Sequence, residues 1–260
     1  MRPDAMDLIF RGRAWFNKGM NPEYLAQARG FFQGALVLDS RNLDALVEMA
    51  GVDATIAGGA LADDRDTRFA AAEAALTKAL SMAPQNAVAH MILGIVQMFT
   101  NRAARGIGEC EQALVLDRNL ADAHASIGLA KYFCGCGAET EAHVQQALRI
   151  SPRDVRAYLW MQYVGIAKLQ LGADADAVVW LRRCLDANRN HSLAHFQLGA
   201  ALALLGDLEE GRYAVKAGLA LNPTFTVRRM RASVLNGNAI YLAGRERVCE
   251  GMRMVGVPEG

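Results

Sequence analysis

Apolar and polar positions recur along this chain at a fixed interval. A shift of 34 residues lays His90-Met91-Ile92-Leu93-Gly94 on His124-Ala125-Ser126-Ile127-Gly128 and Gln112-Ala113-Leu114-Val115-Leu116 on Gln146-Ala147-Leu148-Arg149-Ile150. The phrase returns as Ala194-His195-Phe196-Gln197-Leu198-Gly199, followed by Gly218-Leu219-Ala220-Leu221-Asn222-Pro223. Each unit reads as two helices joined by a turn. Asn21-Pro22-Glu23 reads as a helix start, with an N-cap and proline in the first turn. Ser151-Pro152-Arg153-Asp154 and Asn222-Pro223-Thr224 read as breaks between units. Asp39, Asp117 and Asp186 fall near the ends of second helices, where each can help form the next turn. From about Ala239 to Met254 the pattern changes, and Ile240, Leu242, Val248, Met252 and Met254 give one helix an apolar side after a turn at Asn236-Gly237-Asn238.

A helix–turn–helix period of 34 residues resembles the tetratricopeptide repeat (TPR) family over about residues 5–225. The family wants a bulky residue, Leu-Gly and an aromatic in the first helix, then small residues and a closing proline in and after the second. His90, Leu93, Gly94, Gly106, Cys110 and Ala113 meet that pattern, as do His124, Ile127, Gly128, Ala147 and Pro152. So do His195, Leu198, Gly199, Leu202, Gly211, Val215, Gly218 and Pro223. Other units are stretched, with the extra residues assigned to turns at Gly19–Pro22, at Gly58–Asp66 and at Gly172-Ala173-Asp174, and Gln162 stands where the family has glycine. The resemblance implies an all-α, right-handed solenoid of about six repeats, at about 5–40, 42–85, 86–120, 121–154, 155–191 and 192–225. Residues 226–260 would then be packed on the array as one continuous domain, either capping its apolar end or folding into its concave side.

By the family's register, first helices line the inside of the superhelix. That places Met91, Ile95, Met98, Phe99, Leu129, Tyr132, Phe133, Leu159, Tyr163 and Phe196 on a concave face that is apolar and aromatic. Such a face suits an amphipathic helix or an extended hydrophobic peptide, against the blander reading of ordinary core packing. Phe99 and Tyr132 are the groups whose truncation is expected to abolish capture without unfolding the array. The Lys, Asn and Arg clamp of heat-shock-chaperone TPR adaptors does not occur here, which excludes a co-chaperone role.

Composition narrows the function further. The 260 residues are 52% hydrophobic, and 28 Lys plus Arg nearly cancel 27 Asp plus Glu, so no large field steers the chain toward nucleic acid or an anionic membrane. No apolar run approaches the roughly 18–20 residues that cross a bilayer, and no signal peptide is visible. The five cysteines, Cys110, Cys134, Cys136, Cys184 and Cys249, are odd in number and irregularly spaced, which suits a reducing compartment and points to the cytoplasm. The periplasm becomes the expectation if the chain is cut from a longer membrane-anchored protein.

Catalytic machinery is not found. His191 and His195 lack the intervening Glu of a zinc protease, and His195 shares its repeat position with His90 and His124, where a packing residue belongs. Cys134-Gly135-Cys136 has no second ligand pair and reads as free thiols, while Asp63, Asp64 and Asp66 lack the glycine and glutamate of a calcium loop. Arg228, Arg229 and Arg231 form a basic cluster that reads as a solvated turn or, second, as a site for an anionic partner. No metal, cofactor or catalytic residue is expected, and the chain is not expected to be an enzyme.

The two ends add a narrower resemblance. Leu8-Ile9-Phe10-Arg11-Gly12-Arg13-Ala14, Tyr241-Leu242-Ala243-Gly244-Arg245-Glu246-Arg247, Gly251-Met252-Arg253 and Gly256-Val257-Pro258-Glu259, with Asn101-Arg102 and Leu116-Asp117-Arg118-Asn119, resemble the C-terminal TPR region of alphaproteobacterial signalling proteins. Those proteins often carry a nucleotide-cyclase-like or winged-helix domain upstream; neither lies in this chain. The resemblance implies a bacterial signalling scaffold that binds a protein or peptide partner, not nucleic acid and not a membrane interior. The alternative is a homo-oligomerisation module for such an output domain.

Overall fold

The computed structural model describes residues 3–59, 61–232 and 237–260. Within them lie fourteen α-helices: α1 (Pro3–Phe16), α2 (Pro22–Leu38), α3 (Leu43–Gly58), α4 (Arg65–Met82), α5 (Ala87–Phe99), α6 (Ala103–Leu116), α7 (Ala121–Phe133), α8 (Thr140–Ile150), α9 (Ala157–Gln170), α10 (Asp174–Ala187), α11 (Ser192–Leu204), α12 (Leu208–Leu221), α13 (Val227–Ala232) and α14 (Ala239–Met254). A 3₁₀ turn, Gly137–Glu139, leads into α8. The first twelve helices pack as six consecutive hairpins, and odd-numbered helices also meet one another along the inner side.

Small residues set the spacing within each hairpin. A Cβ added to Gly94 of α5 would lie 2.7 Å from the Gly106 carbonyl oxygen of α6, and one added to Gly106 would lie 2.6 Å from the Gly94 oxygen. Gly199 and Gly211 make the same pair between α11 and α12, at 3.0 and 3.1 Å. In the fourth hairpin Thr140 takes the second place, and its buried hydroxyl donates to the Gly128 carbonyl at 2.8 Å. The fifth hairpin corrects the register read from sequence. Gly165, not residue 162, meets the opposite helix: its added Cβ would lie 2.7 Å from Leu181 Cγ. The three extra residues therefore lie ahead of α9, while Gly172 and Ala173 sit in the tight turn before Asp174 opens α10.

Side-chain caps start several helices. Asn21, Asn42, Asn86, Asp207 and Asn238 each accept from a backbone N–H in the first turn they precede, satisfying donors the helix cannot. Between hairpins, Asp39 and Asp117 accept from the N–H two residues on, at 3.1 and 2.9 Å. Asn188 does so at 3.0 Å where sequence pointed to Asp186, which lies inside α10.

Two features close the solenoid. The turn after α1 reaches the fifth hairpin: Gly19, at φ +118°, passes so close to Asn188 that an added Cβ would lie 2.9 Å from its Nδ2, and Arg156 covers the Phe16 ring at 5.8 Å. The C-terminal segment returns along the inner ends of the array. Val255 packs on Gly199 and Gly211, and Gly251 on Ala200 of α11. Further along, Arg247 pairs with Asp174 at 2.6 Å, Asn238 donates to the Cys134 carbonyl at 2.9 Å, and Tyr241 lies edge-on to Tyr132 at 5.2 Å. Arg229 reaches the α3–α4 loop, pairing with Asp63 at 2.7 Å. The segment both covers the last hairpin and enters the concave side. Asn236 of the turn expected there lies outside the described residues.

Gly251→Leu tests this docking. An added Cβ already lies 2.7 Å from the Ala200 carbonyl oxygen. The expected result is cleavage within 239–254 at least roughly tenfold faster in limited proteolysis, with the array's helical signal retained. Unchanged cleavage would contradict the packing described.

Candidate functional site

A cavity of about 420 Å³ lies on the concave side, between the inner helices and the returning segment. Of the ten residues expected on that face, Met91, Ile95, Phe99, Leu129, Tyr132, Phe133, Leu159 and Tyr163 line it. Met98 and Phe196 do not. Both are fully buried between helices: Met98 fills the space beside Gly106, and Phe196 stacks on Phe225 at 3.9 Å across Gly218. In each case a glycine makes room for the side chain away from the concave face.

Sequence reasoning missed several lining residues. Met20 and Phe16 arrive from the first hairpin, Gln162 and Gln197 from α9 and α11, and Met230, Tyr241 and Arg245 from the C-terminal segment. Gln162 had stood as a missing glycine, and only the shifted register of α9 reveals its place. The cavity is closed toward α14, where Tyr241 and Arg245 are buried, and open toward the starts of α5 and α9, where Val88 and Val155 are 41% and 61% exposed.

Its walls are mostly apolar and its charges balance. Three arginines and three carboxylates line it: Arg13, Arg156 and Arg245 with Glu48, Asp122 and Asp154. Arg13 pairs with Glu48 at 2.5 Å, and Arg156 pairs with Asp122, which also accepts from Trp160 Nε1 at 2.7 Å. Arg245 donates to the Tyr241 hydroxyl. Burial pushes the Tyr132 and Tyr163 hydroxyls above the ordinary phenol range, so both stay protonated and able to donate.

Phe99 and Tyr132 belong to a ring cluster and are not free-standing contacts. Phe99 stacks on Phe69 at 5.7 Å and meets Phe133 edge-on at 5.0 Å, and Tyr132 contacts Phe133 and Tyr241. Truncating either would open the core, so both are poor positions for separating binding from folding.

The remaining chemistry resolves into structure. Asp63, Asp64 and Asp66 pair with Arg229, Arg68 and Arg65. Arg228 donates to the Gly260 carbonyl, and Arg231 pairs with Glu246 and Glu259, so the basic cluster is engaged within the chain. His90 and His195 contact the carbonyl six residues upstream, at Pro84 and Arg189, bracing the turn between hairpins. His124 makes the same bond to Arg118. They are polar struts where sequence suggested bulk alone. Cys110, Cys184 and Cys249 are buried thiols, Cys134 is half-buried and Cys136 exposed, all free. Among the described residues no cluster of His, Cys, Asp or Glu could hold a metal ion, and no helix is long and apolar enough to cross a membrane.

No family model and no curated protein matches the chain. Solved structures do. The chain is similar to TTC0263, a thermophilic TPR protein of Thermus thermophilus, at a TM-score of 0.60 and 14% identity over 76% of this chain and 98% of that one. It is also similar to a chain of the anaphase-promoting-complex hetero-tetramer Cut9–Hcn1, at a TM-score of 0.61 and 14% identity over 86% of this chain and 39% of that one. At such identities the likeness defines the fold and nothing finer: the chain is an all-α solenoid of the tetratricopeptide-repeat type with a C-terminal capping helix.

Proposed function

We propose that this chain is a non-catalytic scaffold that binds a protein partner at the mouth of its concave cavity. The observation that carries the reading is the apolar rim: Val88 of α5 and Val155 just ahead of α9 stand exposed at the opening, and Ile95 of α5 and Leu159 of α9 line the cavity behind them. An apolar peptide or the apolar face of a helix laid across this mouth removes both valines from water and sets anchor side chains toward the cavity. The resemblance of the chain's ends to alphaproteobacterial signalling proteins supports a place in bacterial signalling, and the odd number and irregular spacing of its cysteines support the cytoplasm.

The double variant Val88→Asp/Val155→Asp tests this. Both positions are exposed, so the melting temperature should move by less than about 3 °C. Peptides selected from a displayed library on the unaltered protein should lose at least roughly thirtyfold in affinity for the variant, since each places a charge where an apolar contact forms. Peptides that bind both proteins equally would remove the mouth as the site.

A further inference from the structure

The interior of the cavity holds polar groups that the protein leaves without partners. His191 Nε2 and Gln162 Oε1 are 2.8 Å apart, and Gln162 Nε2 donates to Gln197 Oε1 at 2.8 Å. This chain of bonds ends on Gln197 Nε2, for which no acceptor lies within reach among the described residues, although Gln197 is only 2% exposed. The hydroxyls of Tyr132 and Tyr163 on α7 and α9 also have no hydrogen-bond partner among the described residues, and Tyr132 is 7% exposed. All three side chains line the same apolar space. These donors face the cavity with no protein acceptor, so an acceptor entering an otherwise apolar space would find them free to bond.

The volume and charge of the cavity define what enters. Its 420 Å³ falls within the roughly 300–1,000 Å³ of small-molecule sites, which combine apolar walls with a few convergent polar groups. Three arginines against three carboxylates leave the lining with no net formal charge, so a buried ionic ligand would meet no net compensation.

We propose that the interior binds a small, uncharged lipophilic molecule carrying a carbonyl oxygen. Its hydrocarbon body lies against Ile95 and Leu129, and its oxygen accepts from the donors offered by Tyr132, Tyr163 and Gln197. This site lies deeper in the same cavity whose opening forms the protein-binding mouth, and its polar donors are not among the residues that carry that reading.

Calorimetric titration of the full chain with methyl decanoate and with decanoate tests the proposal. The ester should bind one per chain, and the carboxylate at least about tenfold more weakly, because its charge must be desolvated. Tyr132→Phe and Tyr163→Phe should each weaken the ester by roughly threefold to tenfold while leaving the melting temperature unchanged, because neither hydroxyl bonds to the protein. The proposal is overturned if neither probe binds, if decanoate binds as tightly as the ester, or if both phenylalanine variants bind the ester as the unaltered chain does.

Discussion

Gly94→Val is expected to lower the melting temperature by roughly 6–12 °C, the shift that about 3 kcal/mol produces in a chain of this size. The reason is the contact between backbones. A Cβ at position 94 would lie 2.7 Å from the Gly106 carbonyl oxygen and 2.8 Å from Cys110 Sγ, and two backbones cannot repack around it as side chains do. α5 also packs on α3, α4 and α7, so moving it disturbs the neighbouring hairpins as well. Gly108→Ala serves as the contrast. Gly108 lies in the next helix with nothing within 4 Å of an added Cβ, and alanine there should stabilise by roughly 0.5–1 kcal/mol through helix propensity. Thermal melts followed by circular dichroism measure both. An unchanged melting temperature for Gly94→Val would show that the glycine contact does not fix the hairpin.

Mild acid should destabilise the protein through His191. Its imidazole is buried, lies edge-on to Tyr158 at 5.2 Å and bonds to Gln162. Burial above all, with His195 nearby, pulls its pKa from 6.5 down to about 3. The folded state thus holds the neutral ring, while the unfolded chain takes up a proton near the ordinary value. Stability from this group is fully present above the unfolded pKa and is lost as pH falls toward the folded one. Between roughly pH 7 and pH 5 the loss should be about 2 kcal/mol. His191→Gln removes the titrating group and keeps a neutral hydrogen-bonding side chain. Urea unfolding at both pH values should give a markedly flatter dependence for the variant. Equal slopes for the two proteins would show that His191 is not the group that titrates.

The period of the fold was legible because close packing needs glycine, threonine or alanine at fixed places. Gly94, Gly106, Gly199 and Gly211 mark those places directly. The fifth hairpin misled because Gln162 stands one period after Gly128, while the glycine in contact is Gly165. Counting residues cannot show where a turn absorbs three extra ones. Most of the concave face was readable for a similar reason, since helix register fixes which side chains point inward. Met98 and Phe196 were lost because a neighbouring glycine opens a pocket that a one-dimensional pattern does not record. The contribution of the C-terminal segment was half legible. Its apolar side was plain, but Tyr241 against Tyr132 and Arg229 against Asp63 join residues far apart in sequence, and no local pattern encodes such pairs.

The meeting of the first hairpin's turn with Tyr158 and Asn188 changes the mechanics of the array. A solenoid whose units touch only their neighbours behaves as a spring: it stretches, and it can fray unit by unit from either end. Here the first and fifth hairpins are latched to each other, and the C-terminal segment is latched to the second, so the spring is shut into a clasped ring. Fraying at one end must break contacts held by the other. The expected consequence is a single collective transition in place of domino-like melting, with folding slowed relative to an open array because long loops close before the ring does.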